Sequence, residues 1–159
     1  MPSPQPRGCL GALLSLFIDA PEVQEYPYEQ RYLLSKAERS FYGVLTQCVG
    51  GQFVVFTKVR MADLVKVRKG TEKRQGFFNR IQSKHVDFVL CDPKSLQPRL
   101  VIELDDKSHR GEKAQTNDAF KDKAFEVAGL PLVRIRAQVG YKLDEVGQAI
   151  MAGLGRSAG

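Results

Sequence analysis

The sequence predicts a mixed α/β domain, with a short central sheet and flanking helices. Three observations carry this expectation. Ser35-Lys36-Ala37-Glu38 has the capping-box pattern, in which a serine and a glutamate satisfy each other's free backbone N–H groups at a helix start. Residues 52–60, 85–91 and 99–105 are rich in β-branched, aromatic and aliphatic side chains, as strands are. Residues 112–128 read as a helix stopped by Gly129 and Pro131, and an apolar run follows. The resulting order, αβ(α)ββαβα, is that of one mixed α/β layer structure.

Each element has its own warrant. The first helix, 36–48, buries Phe41 and Leu45 and ends at Gly50-Gly51. The strand at 52–60 comes next, and 61–67 is a short helix or an edge segment. Residues 68–76 are a polar loop and 77–84 a short helix. Strands 85–91 and 99–105 are separated by about seven residues that include Asp92-Pro93, which suits a hairpin. The apolar face of helix 112–128 is Phe120, Ala124, Val127 and Ala128, with Lys121 on its border and Lys123 flanking the opposite border. Residues 132–136 form a core strand and 143–152 a final helix. Residues 35–153 are the domain, 1–34 an extension or linker, and 154–159 a tail.

The chain has 159 residues, enough to bury a substantial core. The hydrophobic share is 43% and the charged share 26%, values that exclude a disordered chain. Three scattered cysteines, with no CxxC pair, exclude a zinc ribbon and argue against a disulfide framework. Free thiols suit a reducing compartment, so a cytoplasmic location is expected. Five of the eight prolines fall in residues 1–27. The apolar run 9–18 is too short to span a hydrocarbon core of about 30 Å. It is read as a short docking helix, a weak signal-like segment or a truncation remnant, with membrane contact a minor option.

The net charge is +6, and it is not evenly spread. Residues 58–84 hold nine basic residues against Asp63 and Glu72, a local charge of +7, so the rest of the chain sums to −1. Lys66, Arg68, Lys69, Lys73, Arg74, Arg80 and Lys84 are therefore candidate phosphate contacts. Phe77 and Phe78 lie among them. Aromatic faces can stack unpaired bases, but an adjacent pair is costly to expose, and burial is the favoured reading.

The strands carry carboxylates where apolar residues are expected. In Val101-Ile102-Glu103-Leu104-Asp105, alternation puts Glu103 and Asp105 on one face. Asp87 sits between Val86 and Phe88, and if the strands pair it can face the same side as Glu103. Buried like charges need neutralising, and a divalent cation such as Mg²⁺ or Mn²⁺ is the simplest partner for hard oxygen donors. Pairing with Lys or Arg is the bland alternative.

The stretches HVDFVLCD, LVIELDDKSH and NDAFKDKAFEVAGLPLVRI, led by LLSKAERSFYGVL, resemble domain-of-unknown-function family 2726. They are also similar to the PD-(D/E)XK nuclease superfamily, near its very-short-patch-repair-like branch. The resemblance spans about residues 33–136. It implies a restriction-endonuclease-like three-layer core and a Mg²⁺- or Mn²⁺-dependent nuclease acting on DNA, with RNA the second choice. It implies Asp87, Glu103 and the Leu104 carbonyl as metal ligands. Glu38 matches an acidic residue of the first helix and reads equally well as the capping-box residue, two roles that compete for one side chain. The usual lysine two after Glu103 is Asp105, which is then a possible third ligand. Downstream His109 becomes a candidate general base or phosphate contact. Lys121, ranked above Lys123, is the candidate substitute lysine, and His85 can approach the site. The missing lysine also supports a rival reading, an inactive nucleic-acid-binding module. A third is a partner-docking protein anchored by residues 1–34.

Overall fold

The computed structural model describes residues 26–105 and 112–155. The apolar run 9–18, His109 and residues 156–159 of the expected tail lie outside the described residues. The chain divides into two compact units, Met1–Arg31 and Tyr32–Gly159. Of the first, the described residues 26–31 form no helix or strand.

The second unit is an α/β fold: α1 (Lys36–Val49), β1 (Val54–Arg60), α2 (Met61–Leu64), α3 (Arg74–Gln82), β2 (His85–Cys91), β3 (Pro98–Asp105), α4 (Glu112–Ala128), β4 (Leu132–Arg136) and α5 (Leu143–Gly155). One mixed four-stranded sheet runs in the order β1-β2-β3-β4. β1–β2 and β2–β3 are antiparallel, while β3–β4 is parallel, joined by the α4 crossover. The hairpin, the capping box and the mixed sheet are as the sequence predicts. α3 differs, starting at Arg74 rather than 77 and ending at Gln82. Lys73 enters it in the left-handed region (φ 52°), and no side chain caps it. Residues 74–76 of the stretch that reads as loop are thus already the first turn.

Helices cover both faces of the sheet. On one face, Phe41, Leu45 and Val49 of α1 and Val146 and Ile150 of α5 pack on Phe88, Leu90, Leu100 and Ile102. On the other, Met61, Ile81 and Phe125, from α2, α3 and α4, pack on Val86, Val89 and Val101. α5 lies close to the sheet at Gly153: a methyl group there would meet Val133 Cγ2 at 2.5 Å and Leu100 Cδ1 at 2.8 Å. The buried face of α4 is centred on Phe125, and Val127 is exposed, unlike the expected Phe120–Val127 face. Lys121 stands four residues before Phe125, on the same face of the helix. Burying Phe125 therefore turns Lys121 toward the sheet. No described helix is long and apolar enough to cross a membrane. Among the described residues Cys48 and Cys91 are free thiols.

The sheet is irregular at one level. Val55 packs in the first cluster, but Val59, four residues on, packs in the second. Phe88 packs in the first and Val86 in the second. Strict alternation would keep each pair on one face. The slip falls at Lys58, which takes the left-handed conformation (φ 54°), and at Asp87, which the β1–β2 register places opposite it. A left-handed lysine inside a strand is strained, by about 1–2 kcal/mol, so its surroundings must hold it there.

Candidate active site

The β2–β3 ladder stops at Phe88↔Ile102, while β3 continues beside β4 to Asp105↔Arg136. The next pair in register would be Asp87 and Glu103, and there the strands part. The Asp87 side chain fills the break, and its Oδ2 accepts the Leu104 backbone N–H at 3.0 Å. A carboxylate thus replaces a main-chain acceptor. In a strand the N–H and C=O of one residue face the same neighbour, so the Leu104 carbonyl is also directed into the break.

The other Asp87 oxygen, Oδ1, accepts from Lys58 Nζ at 3.0 Å. The same ammonium donates to Glu38 Oε1. The second Glu38 oxygen, Oε2, accepts the Ser35 N–H at 2.8 Å, and Ser35 Oγ accepts the Glu38 N–H. The capping and site roles of Glu38 therefore do not compete, because each takes one oxygen. Burial pushes the Glu38 carboxyl up, but Lys58 and the Ser35 bonds outweigh it and the net direction is down. Burial likewise pulls Lys58 down, and Glu38 and Asp87 together push it up. Both groups are thus held in their charged forms.

A depressed carboxyl stabilises the fold above its unfolded value of 4.5, and that contribution is lost as pH falls through the lower folded value. Unfolding in urea at stepped pH from 7 to 3 should therefore show a loss of stability below about pH 4.5 that Glu38→Gln reduces. An unchanged acid limb in that variant would exclude Glu38 as its source.

A second cluster lies on the α4 side. Glu103, 7% exposed, pairs with Lys121 and stands 3.5 Å from Arg134. Lys121 Nζ also donates to the His85 carbonyl at 3.0 Å, which ties α4 to the start of β2. Arg134 pairs with Asp122, stands 3.9 Å from Asp118 and donates to the Asp118 carbonyl. Its Nε is buried without a hydrogen-bond partner among the described residues. Asp105 is buried at the end of β3, and its carbonyl accepts the Ala137 N–H.

The structure thus brings Asp87, Glu38 and the Leu104 backbone together, and pairs Glu103, the residue of β3 before Leu104, with Lys121 of α4. Lys123 is turned away and meets exposed Glu126. The His85 side chain is exposed, and His85 meets the site through its backbone. Among the described residues no three His, Cys, Asp or Glu side chains stand in a group that could hold a metal ion. The carboxylates are instead distributed over Lys58, Lys121 and Arg134. In kind, the donors fit a hard divalent cation: three carboxylates and a main-chain carbonyl, all oxygen.

Lys58 and Arg134 were not singled out from the sequence as site residues. The available signal was the one that marked Asp87, a charge inside an apolar strand. Lys58 interrupts Val54-Val55-Phe56-Thr57, and Arg134 interrupts Leu132-Val133-Ile135.

The basic candidates lie on another part of this face. Lys66, Arg68, Lys69, Lys73, Arg74 and Arg80 are exposed. Lys84 is half-buried and donates to Asn117 at 2.9 Å. Arg60 is occupied by Asp63. Phe78 packs on the second core cluster, but Phe77 is 47% exposed, so burial of the pair holds for one member only. One turn of helix cannot point two adjacent side chains in the same direction.

A family model described as "Protein of unknown function (DUF2726)" matches residues 30–153. No curated protein and no solved structure matches the chain.

Proposed function

The chain belongs to the DUF2726 family, and on that footing we propose that it is a metal-dependent nuclease with a restriction-endonuclease-like core, hydrolysing phosphodiester bonds of DNA and, as second choice, RNA. The observation that carries this reading is the break in the β2–β3 ladder. Two charged clusters, drawn from six different elements, adjoin it: Glu38, Lys58 and Asp87 in one, and Glu103, Lys121 and Arg134 in the other. A fold gains little stability from buried ion pairs, since their desolvation cost rivals their attraction. A cluster built at the expense of strand pairing and backbone strain therefore suggests a chemical use.

Asp87, Glu103 and the Leu104 carbonyl would hold Mg²⁺ or Mn²⁺, with Asp105 near the end of the same strand. When bound, such an ion polarises a phosphoryl oxygen and lowers the pKa of water. The chain's own residues do the rest. Lys58 and Lys121 supply the positive charge that the Asp105 position lacks, and each is already aimed at a carboxylate of the site. As water bonds to phosphorus and one P–O ester bond breaks, fixed ammonium groups offset the charge gathering on the phosphoryl oxygens. Glu38 holds Lys58 charged and in place. The basic surface of residues 66–84 would track the phosphate backbone.

The test is cleavage of single- and double-stranded DNA and RNA in Mg²⁺, Mn²⁺ and EDTA. Cleavage that requires the ion supports the reading; intact substrates under all conditions overturn it. One observation favours a second reading, an inactive nucleic-acid-binding module: Glu38, Asp87 and Glu103 each already have a cationic partner. Calorimetric titration with Mn²⁺ separates the two. Heat that disappears in Glu103→Ala belongs to an enzyme, and no heat belongs to a binding module.

A further inference from the structure

A concavity on the second face lies outside the carboxylate cluster. It is a cleft of about 720 Å³ between the 65–71 loop, α3 and α4. That is ample for one nucleotide, since small-ligand sites run from about 300 to 1,000 Å³. Its walls are apolar: Val65, Val67, Phe77, Phe120 and Val127 are among them. Its charged lining is all basic, namely Lys66, Arg68, Arg80 and Lys123, with no carboxylate. Lys123 also meets exposed Glu126. The Arg80 guanidinium lies over the Phe120 ring, 4.1 Å from its centre. Phe77 offers a second aromatic face, 47% exposed.

An apolar, aromatic interior with a cationic rim suits a ligand that is flat and apolar at one end and anionic at the other. We propose that this cleft receives an unpaired nucleotide of a nucleic-acid strand. Its base stacks on the exposed Phe77 ring, and its flanking phosphates meet Lys66 and Arg68. Bases stack on aromatic side chains with little regard to sequence, and basic grooves carry the backbone. A paired base has no face free to enter, so the substrate class is single-stranded or locally unpaired nucleic acid. The inference rests on the nuclease reading and narrows its substrate. The link between the two sites is covalent: Phe120 lines the cleft, and Lys121, the next residue of α4, holds Glu103.

The experiment is binding of fluorescent oligothymidylate and of a blunt duplex to the full chain in EDTA, with a 2-aminopurine-containing single strand as a stacking probe. The single strand should bind at least ten-fold tighter than the duplex and quench 2-aminopurine. Phe77→Ala should weaken single-strand binding about ten-fold and relieve the quenching. Phe77→Leu keeps the apolar volume and should do the same, which separates stacking from simple packing. Arg68→Ala should lower the slope of log affinity against log salt by about 0.7. Equal affinity for strand and duplex, or full affinity in both Phe77 variants, overturns the cleft assignment. Metal-dependent cleavage of the same oligonucleotides is scored separately. Cleavage with no Phe77 effect removes only the cleft. A Phe77 effect without cleavage removes only the hydrolytic reading.

Discussion

On the proposed nuclease reading, Asp87→Asn is expected to reduce metal-dependent cleavage by about 10³-fold or more while leaving the domain folded. The carboxylate has two jobs, and the amide can keep one. Its oxygen can still accept the Leu104 N–H, which otherwise loses its acceptor at the end of the ladder. The negative charge facing Lys58 is gone. An anionic ligand of a catalytic ion contributes several kcal/mol of transition-state stabilisation, and each 1.36 kcal/mol is a factor of ten in rate. Asp87→Ala removes both jobs. It should lose the same activity and a further ~1–3 kcal/mol of folding stability for the orphaned N–H. Rates on a labelled oligonucleotide and urea unfolding of the two variants check this. Near-normal cleavage by Asp87→Asn would remove Asp87 from the chemistry. Equal stability of the two variants would remove it from the ladder.

Glu103→Leu should be the most destabilising change at the site, by about 3 kcal/mol. Glu103 is nearly inaccessible to solvent and lies between Lys121 and Arg134. Without it two cations face each other with less compensation, although Arg134 keeps Asp118 and Asp122. The double change Glu103→Leu with Lys121→Met removes the uncompensated ammonium and restores an apolar contact. It should be more stable than the sum of the single losses predicts, with a coupling of about 1–3 kcal/mol. Urea unfolding of the four proteins gives that number. Additive losses would mean that the pair contributes nothing as a pair. In water-exposed pairs the same cycle usually returns under about 1 kcal/mol.

The architecture was largely legible because each main element has a local cause. The capping box starts α1, Gly129 and Pro131 end α4, and β-branched runs make the strands. Asp87 and Glu103 stood out for the same reason: ionised groups are out of place in apolar strands. Lys121 was legible from helical spacing, although the buried face of α4 is centred on Phe125 and not on the expected Phe120–Val127 stripe. Lys58 was missed because its importance depends on backbone conformation. Nothing in a lysine signals the left-handed region, where glycine or asparagine is the usual occupant. Arg134 was missed because its partners lie on α4 and β3, and a parallel crossover sets that contact, not sequence spacing. Phe77 was misread because a turn of helix started three residues early and rotated it outward.

The divided use of Glu38 has a mechanical consequence. Its two oxygens tie the first turn of α1 to Lys58, and through Lys58 to Asp87. Helix ends normally fray, since their leading N–H groups lack intrahelical partners. Here fraying requires an ion pair to open as well. The Ser35 amide and Lys58 thus hold opposite oxygens of one carboxylate, so a displacement of Lys58 is passed to the start of α1. Amide exchange at a helix start becomes a remote gauge of whatever occupies the break in the sheet.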